Sequence, residues 1–251
     1  MRNALNIAWR DIRSVFVSPI AYVVIVIFLA TVGLTFRAAV EAWIQIPDFA
    51  VEQANLSLRT YVMTNLTTFF LLSMLFYLPA LSMRLMSEER KNGTAELLLT
   101  SPITTWQLVL GKYFGTLFIL ALILVLTLPQ MLFLEYKAAP EWGAIGTMYL
   151  AYLLFGAVVI AVGLFASSLT ENQIVALLLT IAIAVLLFVL DLIVPFVPPP
   201  WDSVVGGFSI GLGVKSFTLG LFNTHFVVLP LALIGLFLFL CAQVLDSNRW
   251  R

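Results

Sequence analysis

Residues 86–112, MSEERKNGTAELLLTSPITTWQLVLGK, form the longest charged interruption in an otherwise apolar chain. They hold three acids (Glu88, Glu89, Glu96) and three bases (Arg90, Lys91, Lys112) in a chain with only 13 acidic and 13 basic residues altogether. Continuous apolar runs flank the stretch. At 1.5 Å of rise per residue, a helix of roughly twenty residues crosses the ~30 Å hydrocarbon core of a bilayer. Charges without partners are costly in that core, so residues 86–112 read as a water-exposed loop between two membrane spans.

The composition agrees. Of 251 residues, 62% are hydrophobic and 10% charged, and mean hydropathy is +1.06; a soluble domain carries roughly a quarter charged residues. The fold class this predicts is all-α: a polytopic membrane protein of six transmembrane helices in one domain, residues 1–251. Membrane barrels are excluded, because their strands alternate polar and apolar residues. Zero net charge points to neither nucleic acid nor acidic partners. Cys241, the only cysteine, rules out an intrachain disulfide or a cysteine metal cluster. His225, the only histidine, reads as a surface or helix-start residue, and few ligands remain for zinc or haem. No GxxxxGK[ST] phosphate loop is present, so the chain does not hydrolyse ATP by that route. Glu88 and Glu89 point to different sides of a helix and make no acid/base pair. No enzyme site is expected, and no cofactor on this chain.

In chain order, residues 3–17 place Leu5, Trp9, Ile12 and Phe16 at helical spacing, with Asn6, Arg10, Arg13 and Ser14 elsewhere. This predicts an amphipathic helix in the membrane interface, around Trp9, Arg10 and Arg13, serving as a positive-inside anchor or a coupling element. The run after Arg13 is too long for a signal-peptide core and reads as the first span, 19–39. The second span, 61–83, opens with Thr64, Asn65, Thr67 and Thr68. These polar groups would face a translocation path, or bond neighbouring helices and their own carbonyls. Pro79 is expected to kink this span.

Asn92-Gly93 is a turn signal, and residues 94–100 offer a short apolar helix ended by Ser101-Pro102. Thr104 and Gln107 form a T-x-x-Q capping box for the third span, which reaches about residue 134 with an interruption at Pro129-Gln130. Lys112 is placed to snorkel to the interface. The fourth and fifth spans cover 144–167 and 173–197. Asp191, late in the fifth, is either a gate or a hydrated boundary residue. Short outer helices are expected over 202–223, then a sixth span over 226–244. With both termini inside, nine of the 13 Lys and Arg residues fall on the cytoplasmic side, including the central loop, and four outside; the positive-inside rule favours this orientation.

With these elements in place, the whole chain resembles an ABC-2-type permease, the membrane half of an ABC exporter. The resemblance rests chiefly on residues 88–102, EERKNGTAELLLTSP, continuing to Leu110-Gly111-Lys112. The chain is most similar to the gliding-motility-associated permeases, through 163–173, GLFASSLTENQ, and Arg249-Trp250. The resemblance implies a half-transporter in the bacterial cytoplasmic membrane. It would pair with a second permease copy or a homologue, and each permease would dock a separate ABC ATPase carrying ATP and Mg. The loop after the second span would hold a coupling helix, with Glu88, Glu89, Arg90, Gly93, Thr94 and Glu96 as contact or relay positions. Glu171, in the turn 168–173, would make a smaller contact. The second and fifth spans would line the path, at Thr64, Asn65, Thr68 and Phe69. Two other readings fit the sequence: a membrane scaffold for an ATPase-linked motility or assembly complex, and a secondary transporter. The latter lacks an evident inverted repeat.

Overall fold

The computed structural model describes residues 2–17, 19–47, 51, 57–91, 93, 104–137 and 142–249. Its helices are α1 (Arg2–Val17), α2 (Pro19–Ile44), α3 (Leu58–Ser82), α4 (Arg84–Lys91), α5 (Thr105–Lys137), α6 (Trp142–Leu169) and α7 (Gln173–Ile193). After a 3-10 turn at Val194–Phe196 come α8 (Trp201–Gly207), α9 (Ile210–Thr218) and α10 (His225–Arg249). No strand occurs among the described residues. Six helical stretches are long and apolar enough to cross a membrane, so the all-α, six-span expectation holds.

α6 is the centre of the bundle. In its most apolar 18-residue stretch 78% of residues are buried, against 17% for the corresponding stretch of α7. It packs against α3, α4, α5, α7, α9 and α10. Small residues allow that crowding, because apolar side chains gain nothing by leaving lipid for protein and close backbone approach supplies the attraction instead. A Cβ on Gly163 would sit 1.9 Å from Ser82 Oγ, and one on Gly156 would sit 2.5 Å from Leu120 Cδ2. Aromatic edges fill the outer layer: Phe28 of α2 meets Phe70 and Tyr77 of α3, each with ring centroids 5.3 Å apart. Such contacts add about 0.5–1.5 kcal/mol beyond the area they bury.

Local signals hold in several places. Thr104 and Gln107 form the expected box: the Gln107 amide donates to Thr104 Oγ1 at 3.3 Å, and Gln107 Oε1 accepts from the Thr104 amide at 3.4 Å. Asn172 caps α7 by accepting from the Ile174 amide at 2.9 Å. Two short helices, α8 and α9, occupy the glycine-rich 202–223 segment.

Elsewhere the structure corrects the reading. α5 runs through Pro129 to Lys137 without a break. In an apolar surrounding no water competes for the remaining backbone bonds, so one missing donor does not end the helix. α2 continues five residues past the expected end, carried by an Arg37 Nε–Glu41 Oε1 pair at 2.7 Å across one turn. α7 stops at Ile193, before Pro195. The short helix expected over 94–100 lies outside the described residues.

Candidate functional site

The sequence expectations converge on α4. It begins where α3 ends, at Met83, whose amide still bonds the Pro79 carbonyl at 2.8 Å. An eight-residue helix cannot persist in water on propensity alone, so α4 depends on its packing. Met86 and Ser87 are buried, Glu88 and Lys91 are exposed, and Glu89 and Arg90 lie half-buried between them. The two adjacent glutamates do point to different sides, as helical geometry requires.

Glu89 points inward. Its Oε1 accepts from Lys112 Nζ of α5 at 2.8 Å and from Arg10 Nη2 of α1 at 3.3 Å. Arg10 also donates to Asp11 Oδ1 from Nε at 3.2 Å and Nη2 at 3.1 Å. Asp11 Oδ2 lies 3.5 Å from Lys112 Nζ. Two cations and two anions thus join three helices. The Lys112 side chain is only 4% exposed, against 19% for Glu89 and 18% for Asp11. This overturns the snorkelling expectation: an ammonium with two carboxylates in reach need not extend to bulk water. Next to Glu89, the Arg90 guanidinium donates from Nη1 to the Ser168 carbonyl at the end of α6. α4 is therefore fastened to α1, α5 and α6.

The local sequence explains why α1 comes close enough. Residues three apart share a helix face, so Ala8 and Asp11 lie together on α1, and Lys112 and Gly115 on α5. A Cβ at position 115 would sit 3.2 Å from the Ala8 carbonyl oxygen, so glycine there lets the two backbones meet one turn from the ion pair. Ile7 and Ala8 are the buried residues of this contact, while Leu5 and Trp9 are 69% and 61% exposed. The stripe assigned to Leu5 and Trp9 therefore faces away from the bundle, and Ile7 and Ala8 hold the helix to it. Trp9 and Arg13 are exposed and Arg10 belongs to the junction.

The remaining expected positions divide. Gly93 has φ +68°, the left-handed region that favours glycine, just past the end of α4. Thr94 and Glu96 lie outside the described residues. Glu171 is exposed in the α6–α7 turn. On α3, Thr64, Thr68 and Phe69 occupy one exposed face. Thr68 Oγ1 donates to the Thr64 carbonyl at 3.1 Å and Asn65 Nδ2 to the Tyr61 carbonyl at 2.8 Å. Thr67 is buried instead, within 2.8 Å of Tyr152 Oη and 3.1 Å of Thr218 Oγ1, and so ties α3 to α6 and α9. Asp191 lies in the last turn of α7 and His225 opens α10. Among the described residues no group of three His, Cys, Asp or Glu side chains could hold a metal.

Asp11 and Lys112 were not foreseen as partners. The available signal was Lys112 itself, a single charge well inside an apolar helix, which by default needs a counter-ion. Asp11, the one acid among the arginines of α1, was the obvious supplier.

The family model for the ABC-2 family transporter protein matches residues 5–202 of this chain. Comparison with curated proteins gives no match.

Proposed function

Since the chain belongs to the ABC-2 transporter family, whose members are the membrane components that associate with an ABC ATPase subunit, we propose that it is the permease half of an ATP-driven exporter in a bacterial cytoplasmic membrane, with α4 as its coupling element. Both termini and α4 face the cytoplasm in this reading. ATP and Mg are bound by the partner ATPase, and a second permease, a copy or a homologue, completes the transporter. In this reading it is one of the gliding-motility-associated permeases, which residues 163–173 and Arg249-Trp250 support.

The observation that carries this reading is the junction of Glu89, Lys112, Asp11 and Arg10. A nucleotide-driven change in the ATPase does work on a membrane domain only through a contact whose free energy differs between two states. An isolated surface helix would simply swing. α4 cannot, because its inner side is ion-paired to α1 and α5 and bonded to the end of α6. A push on its outer side moves those helices as one body. Glu89 and Arg90 then act as transmitting residues, whereas Lys91, Gly93 and Glu171 make the docking surface. Thr94 and Glu96, outside the described residues, are further contact positions in this reading. The exposed faces of α3, at Thr64, Thr68 and Phe69, and of α7 line the path toward the second permease, with Asn65 beside them.

The test is assembly and turnover of the permease–ATPase complex. Lys91→Glu combined with Glu171→Lys is expected to abolish co-purification of the ATPase while the permease still inserts and stays monodisperse. Undiminished co-purification and ATP turnover in that variant would overturn the docking assignment.

A further inference from the structure

A cavity opens beside the ionic junction, and the coupling just described leaves its other walls unused. Its volume is about 530 Å³, within the ~300–1,000 Å³ typical of small-molecule sites. Its walls differ in character. One carries Arg84 and Glu88 of α4 above the junction; the other is apolar, formed by Val15 of α1, Val24 of α2, Leu81 of α3 and Ile119 of α5.

Two charges on the polar wall have no partner among the described residues. The junction uses Arg10, Asp11, Glu89 and Lys112 on one another. Arg84 and Glu88 make no hydrogen bond or ion pair among the described residues, including with each other. A guanidinium and a carboxylate one helical turn apart form a fixed pair of opposite charges. The ligand that matches carries an anion and a cation a few ångströms apart, with a long apolar tail beyond them.

We propose that this cavity holds one zwitterionic phospholipid with a primary ammonium headgroup, of the phosphatidylethanolamine class, from the leaflet in which α1 lies. The phosphate sits on Arg84, whose planar donor fork suits phosphate oxygens. The ammonium, with three N–H donors, sits on Glu88. One acyl chain leaves along the apolar wall of Val15, Val24, Leu81 and Ile119. Charge balance favours this headgroup: among the described residues the six ionic groups that line the cavity sum to zero, so an anionic lipid adds net charge there, whereas a zwitterion adds none. A choline headgroup has no N–H to donate to Glu88. This inference rests on the membrane placement of the chain and not on ATPase docking, so it stands or falls separately.

The experiment is native mass spectrometry of the full-length permease, delipidated in detergent and titrated with palmitoyl-oleoyl phosphatidylethanolamine, phosphatidylcholine, phosphatidylglycerol or soluble phosphoethanolamine. One phosphatidylethanolamine per chain is expected, with choline and glycerol lipids retained about tenfold less, as loss of one charge-assisted hydrogen bond implies. Arg84→Gln and Glu88→Gln should each weaken ethanolamine-lipid retention about tenfold. Ser14→Trp, which fills the mouth and leaves every charge in place, should abolish it, and Arg37→Gln at the far end of α2 should leave it unchanged. Equal retention of all three lipids, wild-type retention in the Arg84 and Glu88 variants, or displacement of the lipid by equimolar phosphoethanolamine would each overturn the proposal.

Discussion

Replacing Lys112 with methionine removes one charge and keeps most of the apolar stem. At an effective dielectric of ~20, unit charges 2.8 Å apart attract by about 6 kcal/mol and those 3.5 Å apart by about 5 kcal/mol. Most of that gross attraction only offsets the desolvation of an ammonium that is 4% exposed. Breaking a buried pair by removing one partner costs about 3–5 kcal/mol, because the other charge stays buried. Here the cost is smaller. Glu89 and Asp11 keep 19% and 18% of their side-chain surface, and Arg10 still neutralises one of them. The expected loss in Lys112→Met is therefore about 2–4 kcal/mol. It is measured by denaturant unfolding of the purified permease in detergent micelles. Glu89→Gln in the Lys112→Met background should cost much less than in the wild type, with a coupling energy of about 1–3 kcal/mol. The refuting result is a Lys112→Met loss below about 0.5 kcal/mol, the range of an unremarkable surface substitution, or a cycle with no coupling.

Other substitutions probe the remaining contacts. Gly163→Ala should destabilise the bundle by about 1–3 kcal/mol through overpacking, because the new methyl falls 1.9 Å from Ser82 Oγ and 2.5 Å from Ser82 Cβ; Gly146→Ala on the same helix, with nothing within 4 Å, should not, and melting curves separate them. Thr67→Val removes the partner of the buried Tyr152 hydroxyl, while Thr218 still donates to the Val214 carbonyl, and should cost about 1–3 kcal/mol in the same unfolding assay, whereas Thr68→Val on the exposed face should be near neutral. Thr105 Oγ1 donates to Asp246 Oδ1, joining the start of α5 to the end of α10. Asp246→Ala should cost about 1–3 kcal/mol, read from unfolding, since Thr105 is buried and loses its acceptor.

How much the sequence disclosed depended on the range of the interaction. Six spans, the capping box at Thr104 and Gln107 and the turn at Gly93 were legible, because span length, cap chemistry and left-handed backbone are set by neighbours in sequence. Pro129 misled for the opposite reason: a rule derived from helices in water overstates what one missing donor does in an apolar bundle. The junction was half legible. Glu89 stood out as part of a charged loop, yet its partners lie 79 and 23 residues away at Arg10 and Lys112, a separation no local pattern encodes. Thr67 shows the same limit. Its neighbours Thr64 and Thr68 are exposed and it is buried, a difference fixed by where α6 and α9 pack.

The most direct test of α4 as the coupling element is site-specific cross-linking in intact membranes. A cysteine at Lys91, in a Cys241→Ser background, would be joined to the partner ATPase by a short bifunctional reagent, with and without ATP. The expected result is a permease–ATPase adduct whose yield changes on nucleotide binding, with Lys91→Cys unlabelled by membrane-impermeant reagents added outside the cell. Labelling from outside, or an assembled and active complex that never yields the adduct, would contradict it.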